Sequence, residues 1–208
     1  MNITVINGAP AGNDSITLQT VLYLQILYPK ENWTIISAGQ KIKYYETHFE
    51  EVKDTIEQSD LILFSYPVYT FLVPSQLHRF IELMKENEVK VSGKPACQIT
   101  TSKHFYDVTA HRFIKDNCDD MGMKYLGGLS ADMEDLLKEK GQKDARQFFE
   151  LVMWRKAHDI ALPVSVNHSS APFSYQASLE ENEKTVAKTI AIVTDLSSEL
   201  HTPLEIAN

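Results

Sequence analysis

Aromatic side chains crowd into one short stretch of the chain, directly after an apolar run. Residues 61–64 are Leu-Ile-Leu-Phe, a run too short for a helix and typical of a buried parallel strand. Pro67 lacks an N–H for a sheet ladder, so we expect the strand to end there and a loop to begin. A loop that carries rings at the carboxyl end of a buried strand is well placed to hold a flat ligand. Its residues are Pro67, Val68, Tyr69, Thr70 and Phe71.

A second candidate segment, residues 7–17 (NGAPAGNDSIT), follows the β-branched run at the start of the chain. Its small residues let backbone N–H groups approach an anion, and Ser15 and Thr17 add hydroxyl donors. A helix that begins near Ser15 points its positive end at the same place. The segment has neither the lysine of a nucleotide-hydrolysing P-loop nor dinucleotide-binding glycine spacing. It therefore predicts a phosphate seat, with a plain glycine-rich turn and serine cap as the alternative.

A third segment, residues 101–106 (TSKHFY), combines hydroxyls with a lysine, a histidine and two aromatic rings. An anion seat and two aromatic loops together describe a pocket for a phosphorylated planar ring, and FMN is such a ligand. Lys103 either meets the phosphate or faces water. His104 is the one candidate catalytic residue, because imidazole titrates near neutral pH and would stabilise reduced flavin or guide a quinone. The alternative is a solvated loop histidine.

The elements that must position these loops alternate between strand and helix. The alternation predicts an α/β fold with a doubly wound, five-stranded parallel sheet and helices on both faces. The expected strands are residues 2–7, 33–37, 61–64, 96–101 and 124–130. The expected helices follow Ser15, cover residues 49–56, follow Pro74 and cover 108–121, with one or two more in 133–159 broken near Gly141. Residues 38–45 are polar and are expected to be irregular.

The last third of the chain has a different character. Residues 162–176 hold prolines and few helix formers and predict an extended excursion, whereas residues 188–195 fit strand and helix equally. We therefore expect a domain at residues 1–160 and a C-terminal extension at 161–208. The extension is either a dimerisation arm or the start of a truncated further unit.

Composition excludes several function classes. The chain has 28 acidic and 20 basic residues, a formal charge of -8, which argues against a nucleic-acid-binding surface. Cys97 and Cys118 lack the spacing of metal or cluster ligands, so we predict no metal site and a reduced, cytoplasmic setting. No segment has the length and apolarity of a membrane span, and no signal segment opens the chain.

The first two loops together, NGAPAGNDSIT and SDLILFSYPVYTFLVPSQLHRF, resemble the flavodoxin-like NAD(P)H-dependent FMN reductases and quinone reductases, in the branch without iron-sulfur cysteines. The resemblance spans roughly residues 1–160. It implies a flavodoxin-like fold, FMN as cofactor, hydride transfer from NAD(P)H to a small quinone-like or protein acceptor, and a homodimer. The implied FMN-binding residues are Pro10, Asn13, Ser15, Ile16, Thr17, Pro67, Val68, Tyr69, Thr70, Phe71, Thr101, Ser102, Lys103 and His104.

Two alternatives stay open on sequence grounds. The first is a flavodoxin-like electron carrier that binds FMN without being reduced by NAD(P)H. The second is a flavin-free interaction domain, which is motivated by Ala11 and Asp14 in the phosphate loop and by the bulky third loop.

Overall fold

The first strand, β1 (Asn2–Asn7), has a neighbouring strand on each side in the sheet. Every residue after Asn2 is therefore buried. A computed structural model describes residues 1–102 and 106–165 of the chain. The other strands are β2 (Asn32–Ile36), β3 (Leu61–Pro67), β4 (Pro95–Thr101) and β5 (Lys124–Ala131). All adjacent strands are parallel, in the order β2-β1-β3-β4-β5. This is the flavodoxin-like order, and the predicted fold class is confirmed.

Six helices are described in these ranges. They are α1 (Ile16–Leu27), α2 (Ala38–Tyr45), α3 (Glu50–Glu57), α4 (Ser75–Glu86), α5 (Val108–Asp120) and α6 (Glu139–Ala157). Alternate residues of each strand pack against opposite helical layers, because side chains alternate across a strand. Leu63 packs in the core beneath α1 and α6, whereas Phe64 packs in the core formed with α2, α3, α4 and α5.

Two local expectations are wrong. Ala38–Tyr45, expected to be irregular, forms α2, in which Lys41 departs from helical geometry (φ -108°, ψ 16°). The break expected near Gly141 falls earlier, where Asp135–Leu137 make a short 3-10 turn before α6 begins at Glu139. A Cβ on Gly141 would lie 2.2 Å from the Asp135 carbonyl oxygen. The glycine therefore lets the 3-10 turn pack on the helix instead of ending it.

The ends of the strands set the position of the site. β3 includes Pro67, whose register partner is Thr101, and the ladder continues with a Val68 N–H bond to the Thr101 carbonyl of 3.0 Å. The chain therefore leaves the sheet one residue later than the proline predicts. Residues Met1–Ser165 form one compact unit. The predicted extension lies outside the described residues from position 166 onward, and the predicted domain division stays a prediction.

Candidate active site

The loops that follow β1, β3 and β4 meet over the carboxyl edge of the sheet and enclose a cavity of about 470 Å³. Such a volume falls within the range of small-molecule and cofactor pockets. The cavity is lined by Ala11, Asp14, Ser15, Ile16, Thr17, Pro67, Val68, Tyr69, Thr70, Phe71, Thr101, Ser102, Tyr106 and Met133. Ten of the fourteen predicted flavin-binding residues are in this set.

The loop after β1 folds back on itself before α1 begins. The Gly8 N–H donates to the Ser65 carbonyl at 2.8 Å, and a short 3-10 turn covers Gly12–Asp14. Gly12 has a φ of 57°, a conformation that favours glycine, and a Cβ there would also displace the amide end of the Gln40 side chain. Ser15 is the N-cap residue of α1, yet its side chain makes no capping bond. The first N–H groups of α1 therefore have no side-chain cap and remain at the cavity wall.

The aromatic loop is built on a tight two-residue turn. Tyr69 and Leu72 exchange backbone hydrogen bonds of 2.9 and 3.0 Å, and Thr70 and Phe71 between them have φ values of 48° and 70°. This is the backbone pattern of a type I′ turn, which normally carries glycine or asparagine. A β-branched threonine there is strained. The strained turn presents Tyr69 and Phe71 at the cavity, each about half exposed (51%).

The third wall is joined to the first by a pair of buried hydroxyls. Thr17 Oγ1 on α1 lies 2.5 Å from Thr101 Oγ1 at the end of β4. Next to it, Ser102 Oγ is buried and has no hydrogen-bond partner in the described chain. The Tyr106 ring packs edge-on against Phe71 with centroids 5.3 Å apart, so the second and third loops touch at the mouth of the cavity. Lys103, His104 and Phe105 lie outside the described residues, so their predicted roles stay predictions.

A polar cluster holds the far end of the third loop. Thr100 Oγ1 lies 2.8 Å from His111 Nε2 and 3.2 Å from Asp107 Oδ2, and the last two atoms are 3.4 Å apart. Burial lowers the pKa of the His111 imidazole, although the Asp107 carboxylate acts in the opposite direction. Because α5 begins directly after Asp107, this cluster fastens the helix and the end of the loop to β4.

Two predicted residues lie elsewhere, and four lining residues were not among the fourteen predicted ones. Pro10 lines a neighbouring cavity, which shares Tyr69 and Thr70 with the main one, and Asn13 is exposed with its carbonyl accepting from Gln19 Nε2 at 3.0 Å. Met133, which is 56% exposed, lines the main cavity from the segment after β5. The feature of the sequence that could have identified Met133 is its position two residues after the end of β5. Tyr106, Ala11 and Asp14 belong to loops that the sequence had singled out.

Other chemistry finds little support in the described part of the chain. Residues 1–102 and 106–165 contain no group of three or more His, Cys, Asp or Glu side chains arranged to hold a metal ion. Cys97 and Cys118 are free and buried, and burial raises the pKa of both thiols. They are therefore protonated structural side chains. None of the described helices combines the length and the apolarity that crossing a membrane requires.

The sequence of this chain matches the model of the NADPH-dependent FMN reductase family over residues 1–132. The chain belongs to that family. The protein is accordingly an oxidoreductase that uses FMN and NAD(P)H, as the two loop motifs predicted. No match is found among curated proteins.

Solved structures share the fold of this FMN reductase at low sequence identity. An oxidoreductase from Corynebacterium diphtheriae has a TM-score of 0.61 at 13% identity, over 76% of this chain and 96% of the other. FerB, a flavoenzyme NAD(P)H:(acceptor) oxidoreductase from Paracoccus denitrificans, has a TM-score of 0.53 at 17% identity, over 74% and 97%. An FMN-dependent NADH-azoreductase from Bacillus anthracis, in complex with FMN, has a TM-score of 0.52 at 11% identity, over 76% and 99%.

The cavity of this FMN reductase has donors and surfaces suited to a flavin nucleotide. Ser102 Oγ is a buried hydroxyl with no partner among the described residues, and the start of α1 has no side-chain cap. Both features suit polar groups of a ligand. The rings of Tyr69, Phe71 and Tyr106 supply apolar surface to the same cavity. The residues present therefore fit FMN in their hydrogen-bond donors and aromatic surface, although Asp14 in the same wall opposes a phosphate.

Proposed function

We propose that the cavity over the carboxyl edge of the sheet is where this FMN reductase binds FMN and passes reducing equivalents from NAD(P)H to a small, planar, quinone-like acceptor. The observation that carries the proposal is the convergence of three strand-exit loops on one cavity. One of these loops is rich in donors, and the other two carry aromatic rings. FMN supplies the hydride and electron chemistry when bound, and the protein supplies position and electrostatics.

The proposed roles follow from where each side chain lies. The start of α1, with Ser15 and Thr17, binds the flavin phosphate through hydroxyls and backbone N–H groups. Ser102 donates to the flavin from the third wall. Tyr69 and Phe71 cover the isoalloxazine and exclude water from its reacting face.

A small acceptor fits the mouth of the cavity better than a protein acceptor. The rings of Phe71 and Tyr106 touch there at 5.3 Å, and both are exposed enough to stack with an incoming planar molecule. A flat quinone stacks on the exposed parts of these rings, whereas a protein surface reaches the rim alone.

The test begins with the absorption spectrum of the purified protein, with and without added FMN. Flavin binding followed by anaerobic bleaching with NADH or NADPH, and reoxidation by a benzoquinone, is the expected result. Absence of flavin binding would overturn the proposal. Binding without reduction by either nicotinamide would instead identify an electron carrier.

The acceptor site has its own kinetic test. Phe71→Ala should raise KM for the quinone about fivefold or more, because the lost stacking weakens binding of the acceptor. Tyr44→Ala, which removes an aromatic side chain of similar exposure on α2, is the control and should leave KM unchanged. An unchanged KM in Phe71→Ala would contradict the stacking role.

We also propose that the protein is a homodimer whose partner subunit covers the apolar rim of this cavity. Tyr69, Phe71, Leu72, Tyr106 and Met133 are all between 42% and 56% exposed, and such a patch favours association. Light scattering should give twice the monomer mass, and Leu72→Glu should reduce it toward the monomer. A monomeric wild-type protein would refute this assembly.

A cytoplasmic location, which supplies NAD(P)H and keeps Cys97 and Cys118 reduced, completes the proposal.

A further inference from the structure

The charge of the cavity wall is opposite to what a phosphate prefers. Among the described lining residues, Asp14 is the one side chain with a formal charge at neutral pH, and none is Lys, Arg or His. Flavin mononucleotide carries a phosphate of about -1.5 to -2 at pH 7, so a carboxylate beside it is unfavourable.

Asp14 lies at the part of the wall where the phosphate is proposed to bind. It is the last residue of the 3-10 turn Gly12–Asp14 and precedes Ser15 and Ile16, where α1 begins. The side chain is exposed and has no ion-pair or hydrogen-bond partner within the described ranges. Its charge is therefore not neutralised by a neighbour in that part of the structure.

The carboxylate and the phosphate compete for the same positive helix end. A negative side chain near the start of a helix is stabilised by the helix dipole, and a bound phosphate uses the same dipole and the same N–H groups. With Asp14 present, the phosphate gains the helix end but meets a fixed negative charge. The ring system and ribityl chain of the flavin carry no charge and meet no such opposition.

We propose that Asp14 is a specificity-determining residue that reduces the preference of this enzyme for FMN over unphosphorylated flavin, so that riboflavin also binds. The inference rests on the proposed flavin site. Asp14 acts on the phosphate alone, through repulsion across the first turn of α1. Neutralising Asp14 restores the phosphate's full contribution to binding and leaves the affinity for riboflavin unchanged.

The experiment compares FMN and riboflavin as probes, with dissociation constants measured by quenching of flavin fluorescence. The variant is Asp14→Asn, which keeps the size of the side chain. A unit-charge repulsion across solvent is about 1 kcal/mol at 4 Å, which corresponds to about a fivefold change in affinity. We expect FMN to bind Asp14→Asn about fivefold more tightly than wild type, with riboflavin unchanged and with the difference shrinking at high salt.

Asp144→Asn is the matched control, since Asp144 is exposed on α6 and does not line the cavity. It makes the same change in net charge and should alter neither dissociation constant. An unchanged FMN affinity in Asp14→Asn, or equal changes for both flavins, would overturn the role of Asp14 while the flavin site stands. If the wild-type protein binds neither flavin, the proposed site itself fails, and the inference with it.

Discussion

Ser102 and Ser65 form a natural pair for testing the cavity one residue at a time. Both have a buried Oγ with no partner in the described chain, but Ser102 lines the cavity and Ser65 does not. We predict that Ser102→Ala weakens FMN binding about fivefold, the value of one hydrogen bond, without destabilising the flavin-free protein. Ser65→Ala should leave FMN affinity unchanged. Fluorescence titration and urea unfolding measure the two quantities, and a weakened affinity in both variants would contradict the assignment.

Thr70 and Glu88 form a second pair, because both are non-glycine residues with a left-handed backbone (φ 48° and 49°). Replacing either with glycine removes a strain of about 1–2 kcal/mol, partly offset by the greater entropy of the unfolded chain. We expect Thr70→Gly and Glu88→Gly each to raise the free energy of unfolding by roughly 0.5 kcal/mol. Thr70→Gly alone should also alter flavin affinity, since Glu88 is distant from the turn. If urea unfolding shows that Thr70→Gly is destabilised, the stabilising contribution of the threonine side chain is larger than the cost of the backbone strain.

The sequence predicted which types of residue line the cavity better than it predicted where each residue lies. Hydroxyls and rings were assigned to the cavity because their types suit a phosphorylated ring, and seven such residues are among the ten predicted residues that line it. Pro10 and Asn13 do not line it, because Pro10 lies in the neighbouring cavity and Asn13 is exposed on the 3-10 turn before α1. Met133 was missed because no chemical pattern distinguishes a lone methionine, although its place after β5 did.

Among the elements, β3, β4, α5 and β5 are tied together by a buried polar network centred on Gln98. Tyr66 Oη lies 2.5 Å from Gln98 Oε1 and 3.1 Å from the Ala110 carbonyl oxygen, and Gln98 Nε2 donates to the Tyr125 hydroxyl. Burial raises the pKa of Tyr66 well above its usual range, so it remains a neutral donor.

Tyr66→Phe leaves two buried acceptors without that hydroxyl and should lower the free energy of unfolding by about 1–3 kcal/mol. Urea unfolding measures the loss. Tyr44→Phe, which removes an exposed hydroxyl bonded to Glu51, should cost roughly 0.5 kcal/mol or less. Equal losses in the two variants would show that burial of the network contributes little.

The cluster at the start of α5 makes stability depend on pH. Burial lowers the pKa of His111 in the folded protein, whereas the unfolded chain takes up this proton near pH 6.5. Between the two pKa values the unfolded state binds more protons, so the free energy of unfolding falls as pH drops below about 6.5. We expect His111→Gln to flatten this slope between pH 5 and 7.5 and exposed His48→Gln to preserve it. An unaltered slope in His111→Gln would contradict the assignment.

Element boundaries followed from the sequence where local signals agreed with packing. Strand β3 was predictable because a continuous apolar run has few other uses in an α/β domain, and β1 because its β-branched run is followed at once by Gly8. α2 was not, because Ala38–Tyr45 is polar and its helical form depends on packing against α4 and on glycine at position 39. A Cβ on Gly39 would lie 2.3 Å from the Ala9 carbonyl oxygen. That close approach depends on tertiary packing, and no local pattern in the sequence reveals it.

On the scale of the whole molecule, the alternation of strands and helices was enough to predict the sheet and its two helical layers. Right-handed crossovers and buried parallel strands leave few other arrangements.

Binding of FMN at the carboxyl edge of the sheet should stabilise the whole unit. At a free FMN concentration one hundred times the dissociation constant, we expect about 2.7 kcal/mol of added stability and a raised Tm. Calorimetry with and without FMN measures it, and an unchanged Tm at saturating FMN would contradict binding to the folded state.

The hydroxyl pair between α1 and β4 has a further consequence that follows from counting protons. Thr17 and Thr101 bring two hydroxyl protons to a single contact of 2.5 Å, and one proton is enough to make it. The second proton is free to turn toward the cavity, which both residues line. Either threonine can be the one that donates, so we expect a ligand in the cavity to decide which of the two hydroxyls turns toward it. The pair can thus donate a hydrogen bond to a ligand acceptor from either Thr17 or Thr101, without any movement of the backbone.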